Sequence, residues 1–109
     1  MRARVTKTAG AGTTSPMLVM DMNVNNFLAG IQCIVSGTVN YTVQYTMDQV
    51  QVAGYVQSTG NWFNYDYAEL INATTNQTGN FIVPVSAIQI VQNSGSGSVT
   101  TTLWQVGLQ

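Results

Sequence analysis

The chain has 109 residues and seven charged side chains, three Lys or Arg and four Asp or Glu, with no His and one Cys. Charged residues are 6% of it, against roughly 25% in an ordinary soluble domain. Without His there is no imidazole base, no Ser-His or Cys-His pair and no imidazole metal ligand. A single Cys excludes an intrachain disulfide and a Cys-rich zinc site.

The length suits one domain over residues 1–109, with 1–15 read as an arm and loop. A hydrophobic content of 45% suits a packed core. All the positive charge lies in Arg2, Arg4 and Lys7, and the acids are Asp21, Asp48, Asp66 and Glu69. From Thr8 onward there is no cation to replace counterions on a phosphate backbone, so neither nucleic acid nor an anionic membrane is expected as partner. The apolar run Met17–Met20 stops at Asp21, far short of the ~20 residues of a membrane-spanning helix. No apolar segment follows the basic start, which reads as synthesis in a cytosol with Cys33 reduced.

The composition favours strand. There are 14 Val and 14 Thr, with five Tyr, three Phe and two Trp, the residues that suit a pleated half-buried surface. In chain order, Arg2–Thr8 alternates and reads as a first strand or arm, and Ala9–Pro16 as a Gly/Ser/Thr/Pro loop. Met17–Val24 reads as strand followed by loop. It has a helical rival with Ser15 as cap and Gly30 as stop, weakened by Asn23, Asn25 and Asn26. Ile31–Val35 is a continuous apolar run, as in a central strand.

Thr38–Met47 alternates most clearly. Val39, Tyr41, Val43, Tyr45 and Met47 face one way, and Thr38, Asn40, Thr42, Gln44 and Thr46 the other. Ser36-Gly37 before it reads as a hairpin loop that pairs Ile34 with Val39, or as a bulge in one long strand. Val50–Val56 reads as a short strand broken by Gly54, and Trp62–Tyr67 as strand or packed loop. Ala68–Asn72 suits one short turn, and Ala73–Asn80 a polar loop. Phe81–Val85 and Ala87–Gln92 read as strands, with Pro84 at an edge or bulge. Asn93–Ser98 reads as a flexible hairpin connection before a last strand, Val99–Val106. Seven or eight short strands punctuated by turns predict an all-β, antiparallel sandwich of jelly-roll type.

The candidate sites are few. Trp62, Phe63, Tyr65 and Tyr67 stand beside Asp66 and Glu69. They are either core aromatics with acids on the solvent side, or an aromatic contact surface that stacks on sugar rings. The four acids are too scattered for a calcium loop, and no metal or cofactor is expected. Cys33 lies in the most apolar run and reads as a buried hydrophobe. The three N-x-[ST] triplets, beginning at Asn40, Asn72 and Asn76, match what chance gives in a chain this rich in Asn, Ser and Thr. Arg2, Arg4 and Lys7 form the one charge cluster, which is either a solvated first strand or a dock for an acidic partner surface. No enzyme mechanism emerges. Strands without edge Lys residues and a surface of Thr, Asn, Gln and Ser suit a subunit that lives inside an assembly.

From Ile34 onward, the sequence resembles small virion proteins of tailed bacteriophages over about two-thirds of the chain. The resemblance rests on a V-x-G-T-V-x-Y-T-V strand at Val35–Val43, on Trp62-Phe63, on a T-x-x-x-G-N-[FY]-x-x-P-V-x-A-I stretch at Thr75–Ile88, and on a Gly/Ser connection before the last strand at Ser94–Val106. It implies a structural subunit located in the virion. The commonest role in that group is capsid decoration, with the major capsid protein as partner and a homo-oligomer, dimer or trimer, as the bound form. A neck, tail or fibre subunit, or a carbohydrate-binding module, are the alternatives.

Overall fold

A computed structural model describes residues 3–21 and 25–108, with the backbone alone for 25–27 and 106–108. Eight strands follow one another: β1 (Arg4–Lys7), β2 (Leu18–Val19), β3 (Asn25–Ser36), β4 (Asn40–Thr46), β5 (Phe63–Asn64), β6 (Gln77–Phe81), β7 (Ala87–Ser94) and β8 (Ser98–Leu108). Two short 3-10 turns, Gln57–Thr59 and Ala68–Leu70, are the only helical pieces among the described residues.

The strands form two antiparallel four-stranded sheets. Sheet A has the order β1-β8-β3-β6 and sheet B the order β2-β7-β4-β5. First pairs with last throughout: β1 with β8, β2 with β7, β3 with β6 and β4 with β5, as if one long hairpin had been rolled up. The two central pairings, β3·β8 and β4·β7, then close each sheet. This strand order is the jelly roll, two Greek keys back to back.

Period-2 alternation builds the core between the sheets. From sheet A come Ile31, Cys33, Val99 and Leu103; from sheet B come Tyr41, Val43, Ile88 and Ile90. Loops add Tyr65, Leu70 and Val85. Cys33 is fully buried, and desolvation pushes its thiol pKa up, so it packs as a small hydrophobe. Thr101 Oγ1 donates to its Sγ at 3.4 Å.

Both connections between central strands cross from one sheet to the other. Ser36-Gly37 is therefore no hairpin. It carries the chain from β3 in sheet A to β4 in sheet B, so Ile34 and Val39 do not pair, and Ile34 faces outward. Likewise 95–97 carries β7 in sheet B to β8 in sheet A, so the expected hairpin there is also a crossover. The two crossovers touch: Gly97 N–H donates to Thr38 C=O at 2.9 Å. Gly95 has φ +96°, and a Cβ on it would stand 2.2 Å from the Thr38 carbonyl oxygen. Only glycine fits there. Gln92, fully buried, seals this end by donating to the carbonyls of Gly95 and Gly97.

Other expectations shift. β3 begins at Asn25, well before Ile31, which removes the helical rival; Met22–Val24 lie outside the described residues. Val50–Val56 is not a strand but a run of turns with Gly54 at φ +85°. β6 takes up the end of the expected polar loop and the first residue of the expected strand, Phe81, and Ile82–Val85 is irregular instead of strand. The cause is that β6 is an edge strand. Its outward residues Thr78 and Asn80 are polar, and the inward Gly79 leaves room for Leu70 and Tyr65, so no apolar alternation marks it. Met47 falls past the end of β4 and is exposed, not inward.

Candidate functional site

β1 is not a free arm. It is the edge strand of sheet A, paired with β8 from Arg4 opposite Leu103 to Lys7 opposite Thr100. Thr6 points inward and donates to the Pro16 carbonyl at 2.8 Å, which ties the strand to the following loop. Arg4 and Lys7 are both exposed on this edge. Arg4 lines a cleft of ≈ 480 Å³ beside Met20 and Asp21. Arg2 lies outside the described residues.

The four aromatics near Asp66 are not one surface. Tyr65 is core: its ring meets Phe81 edge-on at 5.4 Å, and its hydroxyl donates to Asn80 C=O and accepts from Asn80 N–H. Phe63 and Tyr67 are exposed where β5 and β6 flank one side of the sandwich, next to Tyr45 and Tyr65 respectively. Tyr45 donates to Asp66 Oδ1 at 3.1 Å. Trp62 points elsewhere. Its indole N–H donates to the Gln57 carbonyl at 2.9 Å, which places it over the outer side of sheet B. Among the described residues no group of three His, Cys, Asp or Glu comes together in a way that could hold a metal.

Two surfaces escaped the residue-by-residue reading. The first is the outer face of sheet A. Leu28, Ile34 and Trp104 project from β3 and β8 at 45%, 42% and 51% exposure, with Val5 exposed on β1. Gly30 opposite Trp104 leaves a dip between them, since a Cβ there would meet nothing within 4 Å. No acid lies on any strand of this sheet, and Lys7 is the one basic residue beside the Arg4 edge. Alternation did hold the signal: within β8, Leu103 faces in and Trp104 must face out.

The second is the outer face of sheet B. Gln44 and Gln89 stand opposite each other on β4 and β7, and Asn64 stands opposite Gln44 on β5. Their amides bond in series. Gln89 donates to Gln44 Oε1 at 2.8 Å, and Gln44 to Asn64 Oδ1 at 2.9 Å. From the connection between β4 and β5, Gln57 Nε2 donates to Gln89 Oε1 at 2.8 Å and to the Ser15 carbonyl at 2.9 Å. Asp48 closes that connection: its carboxylate accepts from Asn61 N–H, Asn61 Nδ2 and Tyr55 O–H. These bonds, led by the Asn61 backbone N–H, hold its pKa below the usual carboxylate value.

No family model matches the chain. No curated protein matches it either. A solved structure from work on Bacillus endospore appendages, which form disulfide-linked pili, is similar at TM-score 0.49 and 15% identity, over 99% of this chain and 87% of that one. The jelly-roll assignment rests on the strand order above, not on that likeness.

Proposed function

We propose that the chain is a non-enzymatic structural subunit of a virion, a capsid decoration protein that self-associates as a dimer or trimer and binds the major capsid protein. The observation that carries the reading is the outer face of sheet A. Leu28, Ile34 and Trp104 stay exposed on a face whose strands bear no carboxylate. Apolar side chains interleaved with neutral polar ones, here with Gln32 and Thr102 between Ile34 and Trp104, suit a subunit contact, because such a face is desolvated at little electrostatic cost. A second copy suits it best: a two-fold contact repeats each apolar residue on both sides, with the exposed Lys7 on the edge strand β1 left at its border. The basic edge strand with Arg4 and Lys7 would then remain at the rim to meet an acidic surface of the shell.

Decoration would stabilise the shell by mass action, since binding the assembled form alone shifts the equilibrium toward it. Repeated copies multiply modest contacts. The resemblance of Val35–Val43 and Thr75–Ile88 to phage virion proteins points the same way. The test is the map of neighbours in the intact particle. Copies spread over the shell, with Trp104 covered, are expected. A few copies confined to the neck or tail would overturn decoration, and absence from the particle would overturn the virion role. Deleting residues 1–8 and finding unchanged occupancy would remove the basic edge from the reading.

A further inference from the structure

On the outer side of sheet B, Thr14–Pro16, Val56–Ser58, Trp62 and Gln89 enclose an open groove of ≈ 690 Å³. That volume lies within the range of about 300–1,000 Å³ usual for small-molecule sites. No lining residue is charged. One wall is the half-buried Trp62 indole, fixed by its N–H bond to Gln57 C=O, with Pro16 and Val56 as apolar neighbours. Of the amide series, Gln57 and Gln89 line it. Gln57 Nε2 uses both hydrogens, on Ser15 and Gln89, which locks its amide and turns Oε1 away from those partners. Gln89 Nε2 uses one hydrogen on Gln44 and keeps the other. The groove thus sets two amides that already hold hydrogen bonds, the half-buried Gln57 and the largely buried Gln89, beside an indole ring.

We infer that this groove binds an uncharged saccharide. Sugars combine the two properties such a site recognises: a face of C–H groups that stacks on an aromatic ring, and hydroxyls that donate and accept at once. An amide supplies both counterparts, and amides already held in place lose little freedom on binding. Neutral lining argues against phosphorylated or acidic ligands, which would lack a counter-charge. The site is distinct from the Tyr65–Tyr67 cluster, whose inner ring is in the core.

The experiment is a ¹⁵N NMR titration of the intact chain with maltohexaose, cellohexaose, xylohexaose and chitohexaose. At least one is expected to shift the Trp62 indole N–H and the side-chain amides of Gln57 and Gln89 in a saturable way. Trp62→Phe, which keeps a stacking ring, should weaken that affinity by less than Trp62→Ala, which should cost about tenfold or more. Should Trp62→Ala disturb the fold, Ser58→Trp fills the groove from its exposed rim and should abolish the shifts while the rest of the spectrum stays native. The inference is overturned if none of the four sugars shifts these signals at about 10 mM, a concentration that reveals millimolar binding. It is equally overturned if the shifts centre on Phe63 and Tyr67, or if Ser58→Trp binds as well as the parent chain. None of these outcomes depends on the particle, so they leave the decoration reading to its own test.

Discussion

On sheet A the outward side chains of β3 and β8 include Leu28, Ile34 and Trp104, exposed among Gln32, Thr100 and Thr102. On sheet B the outward residues at the middle of β4 and β7 are Gln44 and Gln89, bonded to each other and to Gln57 and Asn64. Both sheets have four antiparallel strands and share one core. The difference lies in what each outer face still lacks. The amides of sheet B bond to one another within the chain, and the connection between β4 and β5 bonds down onto them. The apolar side chains on sheet A would gain only by burial against another surface. One fold therefore carries an outer face with exposed apolar side chains and an outer face whose amides bond in series.

The sharpest break in that comparison lies within two adjacent residues of β8. Leu103 is 1% exposed and Trp104 is 51% exposed. Leu103→Ala is expected to lose about 2–5 kcal/mol of folding stability, read by urea denaturation. Trp104→Lys is expected to leave monomer stability within about 0.5 kcal/mol. It should instead abolish self-association in sedimentation equilibrium, a loss of about 2 kcal/mol or more if the ring is a contact hot spot. A Trp104→Lys chain that still associates would show that the contact lies elsewhere.

Gln89→Leu tests the other face. It strands the Gln57 and Gln44 amides and is expected to cost about 1–2 kcal/mol of stability with no change in association. An unchanged denaturation midpoint would mean that water replaces the series without loss.

The smallest effect is acid. Asp48 has its folded pKa lowered, first by the Asn61 N–H and then by the Asn61 and Tyr55 side chains. Its contribution is therefore complete above the unfolded carboxylate pKa and is lost as pH falls through the lower folded value. The protection factor at Asn61 N–H should fall over that acid window, while the β3·β8 amides remain protected. In Asp48→Asn that acid response should vanish.

The sandwich was legible because inward positions on β4, β7 and β8 are apolar at period 2. Val43, Ile90 and Leu103 are examples. Edges were not legible for the opposite reason. On β6, Thr78 and Asn80 face solvent and Gly79 faces in, so the strand exists through its pairing with β3 and not through its own pattern. The crossovers at Gly37 and Gly95 carry the same composition as hairpin turns. Which sheet a strand joins depends on partners distant in sequence, which a local turn signal does not encode. As for sites, Trp62 was visible but its neighbours were not. Ser15 and Gln89 reach it only through the rolled-up topology, and Tyr65 left the surface because the core claimed its ring.

β8 is the second strand of sheet A and the partner of both β1 and β3. During synthesis those two strands leave the ribosome with one edge each waiting for a segment not yet made. Sheet B can assemble earlier, since β2, β4, β5 and β7 all precede β8. The chain is thus expected to emerge as a half-built sandwich with its core side open. Closure would come late and through sequence-distant pairing, which is slow. A cell making many copies at once would hold a pool of such intermediates, all with the same unpaired edges.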